Sequence, residues 1–73
     1  KRSVVKSLKD RLHDRFNLSV AETGQHDLWQ RAEITACVVA TDRRLADSVL
    51  SNADRLVAGD ARARIIDSYR TFY

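Results

Sequence analysis

Few residues in this chain have the chemistry for catalysis or metal binding. His13, His26 and Cys37 are its only histidines and its only cysteine, and a transition-metal site would need such donors at short, regular spacing. Their separations fit no zinc signature, and the local patterns place them on a helix, a hairpin and a strand respectively. Cys37 as a nucleophile would require a neighbouring base and an activated thiolate; inside the apolar run "ITACVVA" it reads as an inert small hydrophobe. His26 and Asp27 are of the types that make an acid/base pair, yet adjacent residues in a hairpin usually face water. Gly24 and Gly59 stand alone, so no glycine-rich loop is present to cradle a phosphate. The sequence predicts a non-enzymatic chain with no cofactor, no metal site and no identifiable small-molecule substrate.

Binding chemistry is better represented. On a helix, Arg2, Lys6, Lys9 and His13 fall within about 60° of one another, forming a stripe beside the apolar face. Arg11 and Arg15 flank the other border of that face. Such a cluster can contact phosphates and supply sequence-independent, salt-sensitive affinity. The competing reading is a solvated helix face in which Lys6 and Asp10 pair at i,i+4, because the aromatics that an RRM-type sheet interleaves with its cations are missing from the strands. Tyr69, Phe72 and Tyr73 can stack on bases or close a core or an interface; their exposure decides. Trp29 either caps the open end of a core together with Leu28 or, if exposed, forms with His26 and Arg31 an anchor for a partner.

These residues need elements to position them. Val4, Val5, Leu8, Leu12 and Phe16 have the spacing of one amphipathic helix over residues 1–16, with Asn17 as its stop. "LSVAE" turns Leu18 and Val20 to one side and Ser19 and Ala21 to the other, a short strand. In "RAEITACVVA", Ala32, Ile34, Ala36, Val38 and Ala40 share one face. Cys37 and Val39 make the end of this strand apolar on both sides, as in a central strand. Gly24 marks the turn of an antiparallel hairpin between the two. Thr41 is the expected N-cap of a second helix, with Asp42 in its positive first turn. Leu45, Ala46, Val49, Leu50, Ala53, Leu56 and Val57 then cover an arc of about 140°, and Gly59 ends the helix. "ARARIIDSYRTFY" is rich in β-branched and aromatic residues and predicts a last strand.

The order helix, strand, strand, helix, strand becomes a symmetric two-layer sandwich, β-α-β-β-α-β, if a strand precedes residue 1. The chain starts inside a helical pattern and contains no methionine, which suggests a trimmed piece of a slightly longer domain. Seventy-three residues suit one domain near the size at which a single core becomes marginal. A hydrophobic content of 44% without proline argues against disorder. One cysteine forbids an intrachain disulfide, and without an apolar run or leader the chain is expected to be soluble and cytoplasmic. The net charge is +3, and residues 1–16 carry most of the excess, which points weakly to an anionic partner.

"SLKDRL", "RFNLSVAE" and "DLWQRA" resemble the YlxP-like family, small bacterial proteins of unknown function with a ferredoxin-like fold. The similarity covers the whole chain, although the second helix and the last segment match mainly in pattern. It implies an N-terminal strand and the beginning of the first helix, roughly twenty residues that this sequence lacks. Genes of the family often lie beside those for transcription elongation, translation initiation and ribosome maturation factors, which implies an RNA- or ribosome-related role by association. No catalytic motif comes with the resemblance, and the fold carries many functions.

The expectation is therefore an α+β ferredoxin-like domain lacking its first strand. It acts as a binding module for ribosomal or other structured RNA through the first helix. The alternative is a protein-interaction or self-association module that uses exposed sheet edges and the aromatic C-terminal strand.

Overall fold

Two helices and one hairpin organise the molecule. The computed structural model describes residues 2–24 and 31–73. In chain order the elements are α1 (Arg2–Arg15), β1 (Ser19–Gly24), β2 (Glu33–Cys37) and α2 (Arg43–Ala58), an α+β architecture with a two-stranded antiparallel sheet.

The spacing of its apolar residues sets how α1 lies on the fold. Val5, Leu8 and Leu12 are its buried residues, three and four positions apart, so they form one stripe. Burying one such side chain stabilises the fold by about 1.5–3 kcal/mol. Leu12 joins Leu18 and Ala53 in a core flanked by Phe16, Val20, Ala36, Val38, Val49, Leu50, Leu56 and Val57. The helix ends with Phe16 N–H donating to Leu12 O at 3.0 Å, and Leu18 N–H donating to Phe16 O at 2.8 Å closes the turn into β1. Leu18 enters the sheet buried at 3% exposure.

The hairpin obeys its alternation. Val20, Ile34 and Ala36 are half-buried, whereas Ser19, Ala21, Glu33 and Thr35 are exposed. Ser19 pairs with Cys37 and Glu22 with Ile34, but Gly24 pairs with Glu33, so the register shifts between Glu22 and Gly24 and leaves Thr23 as an extra residue. Such a bulge bends and twists a strand. On the outer face Thr23 Oγ1 donates to Glu33 Oε2 at 2.9 Å and lies 2.8 Å from Thr35 Oγ1. Gly24 thus extends the ladder rather than forming the expected turn. A lone hairpin is marginal in water, and α1 and α2 supply the apolar cover for its inner face.

Two expectations about the elements are corrected. Asp42, not Thr41, caps α2: its backbone is extended and its Oδ1 accepts from Leu45 N–H at 2.8 Å. A carboxylate there also meets the positive end of the helix dipole. Gly59 ends α2 as its position predicted, in the right-handed region with φ −79° and with its N–H donating to Arg55 O at 2.9 Å. The second correction concerns strands. Cys37 is exposed and Val39 keeps 93% of its surface, because nothing among the described residues packs on the outer face of β2, and the strand is not a central one.

The last segment is not a strand either. Residues 61–73 form a turn and then an extended tail outside any sheet. Their side chains find partners on α2 instead: Arg70 lies against Asp47, Ser51 and Asp54, and Phe72 against Arg43. The tail therefore runs antiparallel to α2. β-propensity reports a fit to a pleated, half-buried surface, and these ion pairs draw the segment away from the hairpin.

Candidate functional site

Because Val5, Leu8 and Leu12 face the core, most of the remaining positions of α1 reach solvent, with Val4 and Ser7 half-buried. Arg2, Lys6, Arg11, His13 and Arg15 are exposed and Lys9 is half-buried. The predicted cationic residues thus line the two borders of the buried stripe, Arg2, Lys6, Lys9 and His13 along one and Arg11 and Arg15 along the other. They differ in what they touch.

Lys6 Nζ lies 2.8 Å from Asp10 Oδ2 at i,i+4. The hydrogen bond raises the Lys6 pKa and lowers that of Asp10, so the stripe is partly neutralised at this turn. His13 Nδ1 is 3.0 Å from Leu18 O; facing a carbonyl, this nitrogen carries the proton. The bond ties the last turn of α1 to the start of β1. His13 and Arg15 occupy that last turn, where cations meet the negative end of the helix. Arg2, Lys9 and Arg15 have no carboxylate partner among the described residues.

Arg11 serves another purpose. Its Nη1 donates to Asp60 Oδ2 at 3.1 Å, linking α1 to the turn after α2. Asp60 is buried at 8% exposure and is met by a second guanidinium: Arg62 Nη2 donates to Oδ2 at 2.7 Å, while Arg62 Nε and N–H donate to Oδ1 at 3.0 and 2.9 Å. The Arg62 side-chain and backbone hydrogen bonds, with both positive charges nearby, hold the Asp60 carboxyl well below the usual range. Arg62 Nη2 also donates to Ser7 Oγ at 3.1 Å, which adds a cation to the α1 surface. Sequence reasoning missed Asp60 and Arg62. "GDAR" after a helix is a visible Asx-turn signal, but its connection to Arg11 depends on how the two helices pack.

The C-terminal aromatics divide. Tyr69 keeps 89% of its surface and Tyr73 is fully exposed. Phe72 is half-buried, with the Arg43 guanidinium 4.5 Å from its ring centroid. Arg31 is exposed just before β2. Trp29, His26, Asp27 and Leu28 lie outside the described residues, and with them the choice between a core lid and a partner anchor. Among the described residues no three His, Cys, Asp or Glu side chains gather as metal ligands, and no helix is long and apolar enough to cross a membrane.

The fold and surface define a small α+β module with a cationic helix face. The chain belongs to the family described as "Protein of unknown function (DUF503)", whose model matches residues 1–70. It is 37% identical over 43 residues to "Uncharacterized protein YlxP" of Bacillus subtilis (strain 168), a match covering 59% of this chain and 47% of that protein. The match thus spans about half the length of this curated relative. No solved structure matches the chain. The likeness carried by "SLKDRL", "RFNLSVAE" and "DLWQRA" is accordingly one of family.

Proposed function

We propose that this chain is a non-enzymatic RNA-binding module that lays the outer face of α1 on the phosphate backbone of structured, for example ribosomal, RNA. One observation carries this reading: with Val5, Leu8 and Leu12 buried, Arg2 and Lys9 on one border of that stripe and Arg15 on the other reach the surface with no ion pair to a carboxylate among the described residues. Unpaired cations on a rigid helix contact phosphates and release counterions, giving salt-dependent affinity without base specificity. An RNA partner implies a cytoplasmic location. The order α1, β1, β2, α2 is also the middle of a β-α-β-β-α-β sandwich, and we read the domain as ferredoxin-like on that basis.

The test is RNA binding to the chain at several salt concentrations, with wild type compared to Lys9→Glu and Arg15→Glu. Each lost phosphate contact should reduce the slope of log K against log salt by about 0.7–0.9. A slope unchanged in both variants overturns the reading.

A second reading is favoured by a separate observation, the exposure of Ile66, Tyr69 and Tyr73 on the tail, together with a hairpin whose edges are open among the described residues. These features suit a protein-interaction or self-association surface. Sedimentation across a range of concentrations tests it: a strictly monomeric chain removes self-association.

A further inference from the structure

The polar edge of α2 is shaped to hold a guanidinium, and the tail of the same chain fills it. Arg70 Nη1 donates to Asp47 Oδ1 at 2.6 Å and to Ser51 Oγ at 3.0 Å, while Nη2 donates to Asp54 Oδ2 at 2.8 Å. Two residues further on, the ring of Phe72 lies 4.5 Å from the Arg43 guanidinium. Positions 43, 47, 51 and 54 are four, four and three apart, so they form one stripe on the helix. Ile66, Tyr69 and Tyr73 are exposed, so Arg70 and Phe72 are the side chains that seat the end of the tail.

We propose that the stripe Arg43, Asp47, Ser51 and Asp54 is a docking surface for protein segments with an arginine two residues before an aromatic, and that Arg70 and Phe72 occupy it in cis as a competitor. Charge complementarity selects the occupant. A planar guanidinium reaches the two carboxylates at once, whereas a lysine ammonium acts as a single point charge. The aromatic two residues later meets the Arg43 guanidinium through its π face. None of these contacts depends on the segment being covalently joined to α2. Tethering does, however, raise the effective concentration of the tail to about the millimolar range. An incoming segment with only the same contacts is therefore excluded at micromolar concentration, and the tail acts as a strap that a better-fitting partner displaces. This surface lies on α2 and stands apart from the RNA reading of α1.

The test uses a labelled peptide with the sequence of residues 64–73, RIIDSYRTFY, titrated onto the full chain at low salt. Arg70→Ala vacates the stripe and should bind the peptide at least about tenfold more tightly than wild type does. Adding Asp47→Ala and Asp54→Ala, or replacing the arginine of the peptide at position 70 by lysine, should remove most of that binding. Absence of binding to Arg70→Ala, or binding insensitive to the two aspartates, overturns the proposal. Circular dichroism establishes that each variant is folded. If Arg70→Ala does not fold, the Arg70 Nε–H resonance of the wild-type chain is followed instead as unlabelled peptide is added to about 10 mM, above the effective concentration of the tail: a move to the free-arginine position supports displacement, and no change overturns it. A wild-type chain that dimerises through exchanged tails at micromolar concentration overturns the choice of partner, since a second copy is then the occupant.

Discussion

Asp60 and Arg11 lie 49 residues apart in the chain, yet Arg11 Nη1 reaches Asp60 Oδ2 at 3.1 Å. Arg62 contacts the same oxygen at 2.7 Å, so one carboxylate joins the turn after α2 to the outer side of α1. The folded-state pKa of Asp60 is lowered, mainly by the Arg62 hydrogen bonds. A group with a depressed folded pKa stabilises the native state fully above its unfolded value, about 3.9 for an aspartate, and that stability is lost as the pH falls below it. Acid unfolding between about pH 4 and 2 is therefore expected to be steeper in wild type than in Asp60→Asn, as followed by circular dichroism against denaturant at each pH. Equal slopes for the two chains would remove Asp60 from the acid response.

Leu12 is 3% exposed at the centre of the core shared by α1, β1 and α2. Leu12→Ala should cost about 2–5 kcal/mol, because it removes buried methyl groups and leaves a cavity. Leu45 lies on the same apolar arc of α2 but keeps 48% of its surface. Leu45→Ala should cost less than about 1.5 kcal/mol, and denaturant melts of the two variants provide the comparison.

Asp42 caps α2 through Leu45 N–H. Asp42→Ala is expected to lose about 1 kcal/mol, the usual magnitude for a vacated N-cap. Thr41→Ala should stay within about 0.5 kcal/mol. Reversal of that order in thermal melts would restore Thr41 as the cap.

Tyr69 and Tyr73 are close to fully exposed. Tyr69→Ser and Tyr73→Ser are each expected to change stability by no more than about 0.5 kcal/mol, so any loss of partner binding in these variants reports a contact rather than unfolding. A large fall in melting temperature would show the tail to be structural.

Most of the core was readable from local pattern. The three- and four-residue spacing of Val5, Leu8 and Leu12 predicted their burial, and the alternation from Leu18 to Val20 and from Ile34 to Val38 predicted the inward face of the hairpin. Those patterns are short-range: they depend on where a helix or a strand must direct each side chain, whatever lies opposite. The α1 cations were legible for the same reason, since a buried apolar stripe leaves the other positions of the helix to water. The Lys6 and Asp10 pair was visible too, because one turn of helix separates the partners.

Other features depend on what lies opposite. Val39 is apolar enough for a central strand, yet it is exposed, because no described element covers that side of β2. Residues 61–73 have strand composition, but Arg70 finds two carboxylates and a hydroxyl on α2, and the segment lies along the helix instead of joining the hairpin. Asp60 and Arg62 carry no local signal beyond that of a turn, and only the packing of the helices makes the Asp60 carboxylate a junction with Arg11. Sequence alone determined the two helices, the two hairpin strands and the apolar faces that they bury, because periodicity acts within a few residues. Tertiary structure decided strand pairing, the path of the tail and the ion-pair network, because each needs a partner brought close from a distant part of the chain.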